Sequence, residues 1–80
     1  MDEQTFKRLM NQASIFHRIG DDTGYLAGYM RGLRRAYHGE RFGTEDEHTR
    51  WLSLAGDPRR EAMGRGYRDG LAGHKPAEAV

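Results

Sequence analysis

The chain has no cysteine, so neither a disulfide nor a thiolate metal site is available to it, and its redox compartment is left open. Its longest apolar run is too short to cross a bilayer, and the acidic start Met1-Asp2-Glu3 does not read as a secretory leader. No stretch alternates apolar and polar residues long enough to predict a strand. Lysine stands only at positions 7 and 75, and no Gly-x-x-x-x-Gly-Lys-(Ser/Thr) loop is present to cradle phosphate. Gly64-Arg65-Gly66 follows no strand and is no dinucleotide fingerprint. Ser14 and Ser53, the two serines, lack the context of an activated nucleophile. The histidines at 17, 38, 48 and 74 are too scattered for a zinc spacing. Glu45-x-x-His48 has the form of half a di-iron ligand set, whose second copy is missing; His48 is expected to pack beside Trp51 instead. Charge of one sign is also scarce: the net charge is +1, too balanced for a dedicated nucleic-acid binder or a DNA mimic. These absences leave no catalytic, cofactor-binding or metal-binding residue to assign, and a chain of 80 residues seldom closes a pre-organised pocket. No enzymatic activity is expected.

What is present points to a small helical domain. Apolar residues make up 36% and charged residues 31%, with a mean hydropathy of −0.93. Four Tyr, three Phe and one Trp argue against a disordered chain. Four helices are predicted, over about 2–18, 23–38, 44–55 and 58–72. The first places Phe6, Leu9, Met10, Ala13 and Phe16 on one face and ends near Gly20. Asp21 or Asp22 is expected to cap the second, whose apolar face holds Tyr25, Leu26, Tyr29, Met30, Leu33, Ala36 and Tyr37. Thr44-Glu45-Asp46-Glu47 is a capping box opening the third, with three acids where the helix dipole favours them. Its expected face is His48, Trp51, Leu52 and Ala55. Gly56-Asp57-Pro58 stops the chain and restarts it, with Asp57 as cap and Pro58 in the first turn. Met63, Tyr67 and Leu71 then face inward, with Glu61–Arg65 and Arg65–Asp69 as outer pairs. Residues 1–73 form the expected single domain and 74–80 a flexible tail.

Eleven glycines are an excess, and five of them fall in register. At an offset of 38, Gly24, Gly28 and Gly32 match Ala62, Gly66 and Gly70, each followed by a large apolar residue: Tyr25/Met63, Tyr29/Tyr67, Leu33/Leu71. Glycine inside a helix costs roughly 0.8–1 kcal/mol against alanine. Glycines 28, 32, 64, 66 and 70 together forgo about 4–5 kcal/mol, comparable to the stability of a small domain. Close approach of two helices would offset that cost. The predicted architecture is all-α: two helical hairpins packed through their glycine-rich faces.

The near-zero net charge hides an alternation. Residues 1–23 hold three basic and four acidic residues, 24–43 four and one, 44–57 one and four, and 58–80 five and three. Arg31, Arg34, Arg35 and His38 fall within about 100° of helix two, on the side opposite its apolar face, and Arg41 follows in the loop. Such a cluster favours an anionic partner, either phosphate backbone or an acidic protein face. The alternative is a solvated face balanced by Glu45, Asp46 and Glu47. Those three acids are either purely capping or part of an interface. The eight residues Arg31, Arg34, Arg35, His38, Arg41, Glu45, Asp46 and Glu47 are the candidate partner-binding set.

Arg65-Gly66-Tyr67-Arg68-Asp69-Gly70-Leu71-Ala72-Gly73 resembles the Arg-Gly-Tyr-x-x-Gly-(Ile/Leu)-Ala-Gly stretch of ribosome modulation factor and its small relatives. Trp51-Leu52 and Arg60-Glu61-Ala62-Met63 are similar to two further words of that family, in which the Gly-Tyr helix precedes the Trp helix rather than following it. The resemblance implies a ribosome or RNA partner, contacted through Arg65 and Arg68. As a whole, the tiny, cysteine-free, motif-poor chain with segregated charge resembles phage and mobile-element products of anti-CRISPR type. That second resemblance implies a stoichiometric inhibitor in the bacterial host cytoplasm, without cofactor or membrane attachment, monomeric or weakly dimeric. Its expected partner is a host protein or ribonucleoprotein such as a CRISPR effector complex, with direct nucleic-acid binding the less favoured mode.

Overall fold

Short polar side chains open three of the four helices. Asp2 Oδ1 accepts the Thr5 amide at 2.7 Å, Thr44 Oγ1 the Glu47 amide at 3.1 Å, and Asp57 Oδ1 the Arg60 amide at 2.8 Å. The computed structural model describes residues 1–20 and 23–76. They form α1 (Glu3–Gly20), α2 (Tyr25–His38), a 3-10 turn (Gly39–Arg41), α3 (Glu45–Leu52) and α4 (Pro58–Ala72), with no strand among the described residues. The expected cap at Asp21 or Asp22 lies outside the described residues. The entry to α2 is made by Gly24, at φ 91°, with Thr23 Oγ1 accepting the Tyr25 amide at 3.1 Å.

The helix bounds follow the expectation except at α3. That helix stops at Leu52, not at residue 55, because Gly56-Asp57-Pro58 needs an extended approach to the cap at Asp57. Ala55 is consequently off the helix and exposed, and Leu52 keeps 36% of its surface in solvent. The inner face of α3 reduces to His48 and Trp51, both packed on Tyr67. Pro58 stands in the first turn of α4, and Gly73 closes that helix at φ 72°.

The α2–α4 contact is the centre of the fold. A Cβ on Gly28 would overlap the Met63 carbonyl oxygen and one on Gly32 that of Tyr67; on Gly66 and Gly70 it would overlap those of Tyr25 and Tyr29. The two helices therefore touch backbone to backbone, and each glycine stripe accepts the main chain of the other helix. Tyr25, Tyr29 and Tyr67 flank this seam, essentially fully buried. α1 completes one hairpin with α2 by laying Leu9 and Ala13 into the core that holds Leu26 and Leu33. Phe6, Met10, Phe16 and Met30 pack around it, partly buried.

The start of the expected tail is tied down. The His74 carbonyl accepts Tyr29 Oη at 2.6 Å, and the His74 amide bonds Asp69 O at 3.1 Å. Residues 77–80 lie outside the described residues.

Candidate functional site

The arginines of α2 divide into two kinds. Arg31 and Arg35 turn toward α3. Arg35 is buried, its Nη1 donating to Gly43 O at 3.1 Å and its Nη2 to Glu45 Oε1 at 2.5 Å. Arg31 Nη2 donates to Glu47 Oε2 at 2.9 Å, and its guanidinium lies 4.8 Å from the Trp51 ring centroid and 5.3 Å from that of Phe42. The helical angle placed Arg35 away from the core, but Arg35 is three residues beyond Gly32, at the edge of the glycine stripe. The return of the chain through Gly43 and α3 covers it there.

The acidic turn is the counterpart of these two arginines. Glu45 and Glu47 take one each, while Asp46 stays exposed. The capping box is thus shared between two tasks. Thr44 caps the helix as expected, but the Glu47 carboxylate is drawn to Arg31. Of the eight candidate residues, four are joined in two intrachain ion pairs.

Arg34, His38 and Arg41 stay exposed at the C-terminal end of α2 and in the turn after it, with Glu40 as the intervening acid. Arg34 and Arg41 have no carboxylate partner among the described residues. Arg34 lies 5.8 Å from the Phe42 ring centroid, and the His38 ring meets Tyr37 and Phe6 edge-on at 5.0 and 5.4 Å. Phe6 and Tyr37 stack at 4.3 Å, nearly parallel, so α1 and α2 supply a joint aromatic base. The sequence does not single out Phe42, although its half-buried ring, directly after Arg41, is near the guanidinium groups of both Arg31 and Arg34. This end of the molecule offers exposed cations, one of them beside the Phe42 ring, suited to charge-assisted contact with phosphates or carboxylates.

The other candidates lie on α4. Arg65 is exposed, and Arg68 donates to the Leu52 carbonyl at 3.1 Å, where it ties the end of α3 to α4. His48 Nδ1 is 2.7 Å from Tyr67 Oη, a packed ring pair. No group of three or more His, Asp or Glu side chains among the described residues is placed to hold a metal ion. No helix among them is long and apolar enough to cross a membrane. No protein-family model, curated protein or solved structure matches the chain.

Proposed function

We propose that this chain is a non-enzymatic binding protein, an inhibitor of anti-CRISPR type that docks on a nucleic-acid-handling surface of a host effector complex. The contact is made by Arg34, His38 and Arg41. The observation that carries this reading is the division of the α2 arginines. Arg31 and Arg35 are held by Glu47 and Glu45, so the α2 charge left for a partner is gathered at the exposed end of that helix. Arg34 is steadied there by Phe42, which lowers the entropy lost on binding.

The test is plasmid interference in a bacterium with an active CRISPR system. The chain is expected to suppress interference, and Arg34→Glu with Arg41→Glu to restore it while leaving helicity unchanged. No suppression by the wild-type chain, or full suppression by the variant, would overturn the proposal. A second reading is a ribosome- or RNA-binding modulator similar to ribosome modulation factor, favoured by the cation-on-ring pairing of Arg34 and Phe42, which single-stranded RNA sites also use. Binding of protein-free RNA with a steep salt dependence would select it.

A further inference from the structure

A groove between α3 and α4 takes no part in the surface described above. Trp51, Leu54 and Met63, all half-buried, form its apolar walls, and it encloses about 410 Å³, within the range of sites that hold a small ligand. Arg50 stands on the α3 side, and Arg59 and Arg60 on the α4 side. Asp57, the carboxylate at the rim, is already engaged: it caps α4 through the Arg60 amide, and its Oδ2 lies 3.7 Å from Arg60 Nε. Arg50 and Arg59 are exposed and have no carboxylate partner among the described residues. Asp46, four residues before Arg50, lines the adjoining hollow and forms no ion pair with it.

The distribution of charge selects the occupant. The cations come from both helices that line the groove, Arg50 from α3 and Arg59 and Arg60 from α4, beside its apolar residues, a lining complementary to a segment that carries both carboxylates and an apolar side chain. Trp51 is already stacked on Tyr67, 5.6 Å between centroids, and carries Arg31 at 4.8 Å; a stacked nucleobase would compete with both. An apolar side chain against the groove needs neither displaced. We propose that the groove binds an acidic peptide segment of another protein. One bulky apolar side chain would seat against Trp51, Leu54 and Met63, and carboxylates on either side of it would reach Arg50 and Arg59 as charge-assisted pairs.

Trp51 is the sole tryptophan, so its fluorescence reads the groove directly. The probe is a short blocked peptide with one leucine flanked on both sides by aspartate and glutamate. A saturable change in emission is expected, weakened about ten-fold or more by Arg50→Ala with Arg59→Ala, and as much by Leu→Ser in the peptide. Both arginines are exposed, and circular dichroism checks that the variant keeps its helices. No saturable change, or one indifferent to both substitutions, would overturn the proposal. So would a stronger response to inorganic phosphate or oligouridylate that the same variant abolishes, which would make the groove a phosphate site. A sedimenting dimer lost in that variant would assign the groove to a second copy of the chain and overturn it likewise. Arg34→Glu with Arg41→Glu is expected to leave the peptide response unchanged, so this proposal and the preceding one stand or fall separately.

Discussion

Glycines 28, 32, 66 and 70 set the distance between α2 and α4. The atoms a new Cβ would strike are main-chain atoms, which cannot rotate aside: at Gly66 the Tyr29 nitrogen stands 2.8 Å from that point, and at Gly70 the Leu33 nitrogen does. Alanine would add about 1 kcal/mol of helix propensity. Against this, overpacking costs about 3 kcal/mol when backbone must shift, because the helices separate along the whole seam. Gly66→Ala and Gly28→Ala are each expected to lower the unfolding free energy by about 2 kcal/mol net, read from urea denaturation. Equal or higher stability would show that the seam has slack, and that glycine there has another cause. The flanking tyrosines complete the residue-scale picture. Tyr25 Oη donates to the Asp69 carboxylate and Tyr29 Oη to the His74 carbonyl, so each ring fills the core while its hydroxyl binds the far end of α4.

Among the elements, α3 is the one held mainly by side chains. It has eight residues, none of them buried, and it docks through Arg31–Glu47, Arg35–Glu45 and the packing of His48 and Trp51 on Tyr67. Arg35 is the anchor, because its guanidinium is buried while Glu45 remains two-thirds exposed. Removing Glu45 leaves a buried cation with one carbonyl partner, and removing both groups relieves that strain on the interior. A cycle of Arg35→Met and Glu45→Gln should show a coupling of about 1 kcal/mol, since the exposed carboxylate is screened by water. The coupling should shrink in high salt. Unfolding followed by Trp51 emission measures it, and no coupling would leave the docking of α3 to Arg31–Glu47, the Arg68 bond to the Leu52 carbonyl and the aromatic contacts. The same element shows what a sequence makes legible. The α2–α4 seam is readable because backbone contact demands a missing Cβ every fourth residue on both partners, a local pattern. The Arg35–Glu45 pair is not readable that way. It joins residues ten apart across a loop, and the angle of Arg35 on an isolated helix says nothing about which loop returns over it. The early end of α3 escaped for a related reason: Ala55 continues the apolar spacing, but the approach to Asp57 and the seating of Leu54, whose carbonyl oxygen lies 3.3 Å from where a Cβ on Gly64 would stand, claim that stretch. Arg34 and His38 stay exposed on α2, and Arg41 follows in the turn after it, as the sequence places it.

For the molecule as a whole, composition and burial combine into a defined response to alkali. Eleven of the thirteen basic side chains are arginine, so nearly all the positive charge persists above pH 10. The groups that titrate there are chiefly tyrosines, three of them buried along the seam. Burial, reinforced by the Asp69 carboxylate, pushes the Tyr29 phenol from 10.0 up to about 12, and burial raises Tyr67 as well. In the unfolded chain these phenols ionise near pH 10. Between pH 10 and 12 the folded state therefore binds more protons than the unfolded state, and stability falls as pH rises. The stability is fully present below about pH 10 and is lost through the folded pKa of about 12. Lys7, raised by Glu3 at 2.9 Å, acts with the same sign but lies fully in solvent. Urea midpoints at pH 8, 10 and 11, with tyrosinate absorbance recorded alongside, are expected to stay level to pH 10 and then drop. Tyr29→Phe should cost about 1 kcal/mol at pH 8, for the bond to the His74 carbonyl, yet show a shallower decline above pH 10, so that the two curves converge. Parallel curves would place the alkaline sensitivity elsewhere than in Tyr29.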